Sequence, residues 1–147
     1  MKTDAQKALD QLNAWSENTL METLGIQYSD VGEDYLEATM PVRKMHYQPM
    51  GILHGGASAA LAESVGSAAS GLYLASQEGD QTAVGLELAI NHVRSVHEGT
   101  VTARAEAIHR GRSTHLWQIV IRDEEKRMVA LAKLTMMVLS RQKLSDQ

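Results

Sequence analysis

The residues that could do chemistry in this 147-residue chain are densest between Gln48 and Ser67. Gly55-Gly56 stand where a helix rich in Ala and Leu begins. The first amides of a helix have no partner inside it and carry partial positive charge. Such an end binds anions, and it can equally polarise a carbonyl whose oxygen gains charge in a transition state. Glycine there admits close approach to the backbone, although a plain glycine-rich helix start has the same pattern. Glu63 is the second feature, the only charged residue between His54 and Glu78. An unpartnered carboxylate among Ala, Leu, Val, Ser and Gly has a raised pKa and costs stability unless something pairs or uses it. It reads either as a general base or nucleophile, or as a buried partner for an Arg or His of a surrounding sheet.

Helix geometry sets a condition on using both groups. Gly55 and Glu63 are eight residues apart, about 12 Å along one helix at 1.5 Å per residue. The Glu side chain leans back toward the N-terminus and recovers only ~4 Å of that. One carbonyl cannot then lie within about 3 Å of both groups of the same chain. If both act on one substrate, they come from two chains, and a two-fold dimer with paired sites is expected.

These groups have to be positioned by the remaining elements. Leu9, Leu12, Trp15, Leu20 and Leu24 fall near helical spacing, so residues 3–24 are expected to be helical, ending at Gly25. Extended segments Ile26–Val31 and Tyr35–Pro41 flank the turn Gly32-Glu33-Asp34. Met45 to Gly56 reads as a loop, and Ala57–Ala75 as a long, nearly uncharged helix wrapped by the rest of the chain. On it, Ala57, Leu61, Ser64, Ala68 and Leu72 are expected to share a face. Four strands follow over Ala83–Ser95, Gly99–His109, Ser113–Asp123 and Met128–Ser140, then a polar, frayed tail over 141–147. A long helix interrupting antiparallel strands implies a curved sheet wrapped around it, an α+β fold in one domain spanning 1–147.

Composition narrows the chemistry. The chain has no Cys, which removes thiol nucleophiles, disulfides and thiolate metal sites together. A net charge of −4 and an aromatic content of 4% argue against nucleic-acid binding. No apolar run approaches the ~20 residues of a membrane-spanning helix. The start, Met1 to Asn13, lacks a signal peptide's basic flank and apolar stretch, so a soluble cytoplasmic protein is expected. The six His show no HExxH-like spacing, and His92 and His97 on one strand would face opposite ways, so no metal is expected. No nucleotide-binding glycine loop of the P-loop or Rossmann type is present, and no cofactor is expected.

The run Gln48-Pro49-Met50-Gly51-Ile52-Leu53-His54-Gly55-Gly56-Ala57-Ser58, continued by Leu61-Ala62-Glu63-Ser64 and Gly66-Ser67, resembles the signature of hotdog-fold acyl-CoA thioesterases. Leu36–Val42, Asn91–Ser95 and Trp117–Ile119 extend the similarity, which runs from about Leu20 to Leu139 and is strongest to the thioesterases of menaquinone and enterobactin synthesis. The resemblance implies Glu63 as the catalytic carboxylate, attacking the thioester or activating water, and the Gly55 amide as donor to its oxygen. It implies that His54 and Gln48 polarise the carbonyl or position the leaving thiolate, and that Ser67 helps place the water. Met50 and Ala68 would shape the acyl pocket, with Gly85, His92, Arg94, Arg112 and Ser113 also contacting an acyl-CoA substrate. Arg110 lies in the same turn as Arg112. Met50 departs from the Phe common in close relatives, which leaves aromatic packing on an acyl ring to Tyr47, Tyr73 or a Met. A homodimer is implied, Glu63 from one subunit meeting Gly55 of the other, with dimers pairing into a homotetramer. An acyl-CoA-binding module without turnover, and a dehydratase using His54 with Glu63, are the alternative readings.

Overall fold

The computed structural model describes residues 1–146. Helix α1 (Asp4–Trp15) starts where the Thr3 hydroxyl accepts the Gln6 N–H, and it buries Leu9 and Leu12. The short α2 (Leu20–Leu24) stops at Gly25, whose φ of 72° is left-handed and suits a residue without Cβ. Strands β1 (Gln27–Val31) and β2 (Tyr35–Pro41) form the expected hairpin. A 3-10 turn at Lys44–His46 then leads to the long helix α3 (Gly55–Ala75). Strands β3 (Gln81–His92), β4 (Thr100–Arg110), β5 (Thr114–Arg122) and β6 (Met128–Ser140) complete one antiparallel, curved sheet in the order β1-β2-β4-β5-β6-β3.

The register builds the core in transverse rows, because residues two apart on a strand face the same side. One row is Ala38–Ala103–Ile121–Ala130–His92, and the next is Leu36–Ala105–Ile119–Ala132–Ile90. A third runs Ala107–Trp117–Leu134–Leu88, and a fourth Arg110–His115–Met136–Gly85. Alanines on β4 and β6 beside large residues on β5 leave a trough that α3 fills. The approach is tight at Gly66, where an added Cβ would lie 2.5 Å from a Leu134 methyl, and Leu134 is fully buried. Gly66→Ala is therefore expected to destabilise. Overpacking costs about 1–3 kcal/mol, more than the ~1 kcal/mol alanine gains in a helix. Thermal unfolding checks this through a lower midpoint with circular dichroism of the folded state unchanged.

Four sequence expectations need correction. Helix α3 begins at Gly55 rather than Ala57, because His54 caps it. Its buried face is Ser58, Leu61, Ala62, Val65, Gly66, Ala69, Ser70 and Leu74; of the expected set only Leu61 is fully enclosed. Strand β3 ends at His92, so Arg94 and Ser95 lie in the following loop and His97 shares no strand with His92. The tail is not frayed over its first residues: Ser140 accepts the Lys143 N–H and starts α4 (Arg141–Ser145). Gln147, the end of the expected tail, lies outside the described residues.

Candidate active site

The loop before α3 is tied down by His46, which is buried. Its Nδ1 accepts the Arg43 N–H at 3.2 Å, so Nε2–H donates to the Leu24 carbonyl at 2.7 Å, and its own carbonyl accepts the His54 N–H. Eight residues on, His54 Nδ1 accepts the Gly56 N–H at 2.7 Å. His54 is exposed, and that bond places the proton of its neutral ring on Nε2. It also takes the Gly56 amide out of play, whereas the Gly55 N–H has no acceptor among the described residues. Glycine at 55 leaves room for the exposed His92 ring, since a Cβ there would come within 2.9 Å of His92 Nε2 and turn the ring aside. Gln48 is folded onto its own loop, its side-chain oxygen accepting the Met50 N–H, which leaves its NH₂ group to donate elsewhere.

Gln48, Gly55, His92 and Arg94 line one cleft of about 410 Å³, together with Ser58 and Val129. His54 and Met50 adjoin this cleft through Gly56 and Gln48, and the other expected residues lie farther off. Glu63 sits two turns along α3, over the edge strand, where a Cβ on Gly85 would run into its carboxylate. It is exposed, not walled in by the sheet as its apolar neighbours in sequence suggest, because β3 has no strand beyond it and Gly85 has no side chain. No ion pair claims Glu63 among the described residues. Ser67, one turn further, donates to Met136 Sδ at 3.6 Å, and half-buried Ala68 adjoins it. Next to Glu63, the Ser64 carbonyl accepts the Tyr28 hydroxyl at 3.2 Å, and burial pushes that phenol up to about 12.

Arg112 and Ser113 lie exposed in the β4–β5 turn, at the opposite end of the sheet from His92 and Arg94. Gly85 and His92 stand seven residues apart on β3, which is about 23 Å. Arg110 is committed within the fold, bonded to Asp34 at 2.7 Å and stacked on the Tyr73 ring. Arg94 and Arg112 have no carboxylate partner among the described residues.

Residues 50–130, spanning the loop, α3 and β3 to β5, match the profile of the thioesterase superfamily. The chain belongs to that superfamily. It is 47% identical over 131 residues to the 1,4-dihydroxy-2-naphthoyl-CoA hydrolase of Escherichia coli, covering 89% of this chain and 94% of that protein. Identity is also 47% over 131 residues to the proofreading thioesterase EntH of Cronobacter turicensis, covering 89% and 93%. A crystal structure of a thioesterase from Haemophilus influenzae superposes with a TM-score of 0.85 at 45% identity, covering 95% of this chain and 93% of that one. This thioesterase therefore has the hotdog fold, and it is a thioester hydrolase.

Hydrolysing a thioester takes a group that generates or replaces a water nucleophile and a donor for the oxygen that becomes negative. In one thioesterase chain the carboxylate able to do the first and the free amide able to do the second stand on the same helix but face different surroundings. Sequence reasoning missed Ser58, which is buried and lines the Gly55 cleft. Its position three residues into α3, facing inward, was a usable signal. It also missed that Ser70 and His115 meet beneath Trp117, for which the sequence offers no local signal.

Proposed function

We propose that this thioesterase hydrolyses an acyl-CoA to the free acid and CoA, with Glu63 of one subunit and the Gly55 amide of another acting on one thioester. The observation that carries this reading is that both groups are unclaimed while too far apart on α3 to meet one carbonyl within a chain. Strand β3 supplies the natural junction. It is twelve residues long, unpaired on one side, and presents Leu86 at 56% exposure. An open edge of that length is a template for another strand. Pairing β3 antiparallel with its copy about a two-fold axis reverses its direction. The Gly55–His92–Arg94 end of one subunit then adjoins the Gly85–Glu63 end of the other. The same operation brings Arg94 toward the Arg112–Ser113 turn of the second subunit, so two unpaired guanidiniums can meet the phosphates of CoA.

Chemistry follows from that juxtaposition. Glu63 either takes a proton from water as it attacks the carbonyl carbon or attacks that carbon itself. Both routes put negative charge on the thioester oxygen, which the Gly55 N–H at the positive end of α3 stabilises. Collapse breaks the C–S bond and releases CoA as the thiolate, the Nε2–H of His54 and the Gln48 amide donating to oxygen or sulfur. Where Glu63 itself attacked, water then hydrolyses the acyl–Glu63 anhydride to the free acid and restores the carboxylate. Ser67, on the Glu63 side, places the water. Met50, at 81% exposure, and Ala68 would border an aromatic or medium-length acyl group.

A thiol-release assay over aromatic and aliphatic acyl-CoAs tests the reading. Free CoA in one-to-one ratio with acid is expected, fastest for one acyl class. Tight acyl-CoA binding without thiol release would instead identify a binding module. Hydration of an enoyl-CoA with the thioester intact would identify a dehydratase.

A further inference from the structure

Four residues of α3 follow one another at helical spacing along a single stripe: Glu63, Ser67, Ser70 and Tyr73. Beneath them runs the fourth row of the sheet, Gly85, Met136, His115 and Arg110. Each helix residue stands on its counterpart. Glu63 overlies Gly85, and Ser67 donates to Met136 at 3.6 Å. Ser70 Oγ is 2.9 Å from His115 Nδ1, and the Tyr73 ring meets the His115 ring edge-on with centroids 5.4 Å apart and carries the Arg110 guanidinium on its face.

The middle of this stripe is polar and sealed. Ser70 and His115 are fully buried, and Trp117 Nε1–H donates to Ser70 Oγ at 2.7 Å. Ser70 Oγ, with two lone pairs and one proton, thus bonds the indole and His115 Nδ1 at once, whichever nitrogen of the neutral imidazole carries the proton. The ring's other nitrogen, Nε2, has no partner among the described residues, so this site favours the neutral imidazole. Substrate cannot reach Ser70, so this serine and histidine are no nucleophilic pair.

Most other contacts of α3 with the sheet are between aliphatic side chains, which attract without direction. The directional contacts are few: Tyr28 to the Ser64 carbonyl, Ser67 to Met136, and Ser70 to His115 and Trp117. We infer that His115 is a positioning residue: through Ser70 it fixes where α3 lies along the sheet, and with it the placement of Glu63 and Ser67, and it does so only as the neutral imidazole. A second proton on the ring would leave a cation in the core, with an Nε2–H that has no acceptor among the described residues. The groups facing that cation are Arg110 and His109 from β4 and Tyr73 from α3, while Met136 from β6 cannot ionise and Asp34 is held by Arg110. Burial first, then the charges of Arg110 and His109, hold the His115 pKa below the ordinary value. With the folded pKa lowered, the stabilisation is complete above the unfolded value of about 6.5 and is lost as the solution is acidified.

The inference rests on the proposed role of Glu63, and the test separates the two. His115→Leu, His115→Gln and Ser70→Ala are assayed for CoA release from pH 5 to 8, alongside thermal unfolding. His115→Leu is expected to lower kcat about tenfold or more with KM within about twofold, since small misplacements of reacting groups cost one to two orders of magnitude. His115→Gln offers an amide oxygen to the Ser70 hydroxyl and cannot ionise. It is expected to restore kcat at pH 7.5 and to lose less activity than the wild type below pH 6. Ser70→Ala, which shortens the side chain without adding bulk, is expected to repeat the kcat loss if His115→Leu does not fold. Wild-type kcat in both His115→Leu and Ser70→Ala, with only the unfolding midpoint lowered, would overturn the positioning role. So would superimposable pH profiles of wild type and His115→Gln. Full CoA release by Glu63→Gln would overturn the reading of Glu63 instead, whatever the His115 variants do.

Discussion

Glu63→Gln is expected to reduce CoA release by about three orders of magnitude while leaving the fold intact. General-base catalysis contributes about 10²–10⁴-fold, and a nucleophile's loss costs at least as much. An amide of the same shape can neither take the water's proton nor attack. Because Glu63 is exposed and takes part in no ion pair among the described residues, its neutralisation should move stability by less than about 0.5 kcal/mol. The loss should therefore appear in kcat with KM little changed. The same variant tests the sharing of the site. Gly55→Pro removes the other group, the N–H, at the first helical position, where proline's fixed φ is accommodated and the exposed His92 ring can turn aside from the added carbons. Each variant alone should be inactive. Co-refolded in equal amounts, half the dimers would be mixed, each with one intact site, so about a quarter of wild-type activity should return. Mixed dimers without activity would show that the two groups do not act on one thioester.

What the sequence made legible here was whatever depends on neighbours along the chain. Apolar residues alternate with polar ones at Val101, Ala103 and Ala105, and at Trp117, Ile119 and Ile121, and all six are buried under α3. A lone carboxylate in an Ala-rich helix marked Glu63, and glycines after a His marked the helix tip. What depends on strand order was not legible. Glu63 was expected among greasy walls because its sequence neighbours are apolar; its exposure follows from β3 being an edge, which the chain order β3-β4-β5-β6 does not reveal. The helix start was displaced by two residues because His54 is not an ordinary capping residue type, yet its Nδ1 does the work of a serine hydroxyl. Ser70 and His115 are 45 residues apart, and their meeting requires both the β5–β6 register and the height of α3 over the sheet. Each looked like an unremarkable polar residue by itself.

Gly85 offers the sharpest separation of activity from stability. Its φ is not in the left-handed region, so the backbone of β3 accepts any residue there, and glycine serves space alone. A Cβ would fall inside contact distance of Glu63 Oε1, and a strand backbone bonded to β6 cannot retreat to make room. The carboxylate has to swing away instead, which costs the folded state little because Glu63 is exposed. Gly85→Val is expected to lower kcat about 10²-fold. It should leave the unfolding midpoint unchanged or raised, since a β-branched residue is favoured over glycine in a strand by up to about 1 kcal/mol. The decisive measurement is the double variant. If Gly85 acts by leaving the Glu63 carboxylate its place, adding Gly85→Val to Glu63→Gln should cost almost nothing further, a coupling nearly as large as the single effect. Additive losses would mean that residue 85 serves the substrate directly, and wild-type kcat in Gly85→Val would mean that the carboxylate works from somewhere other than over β3.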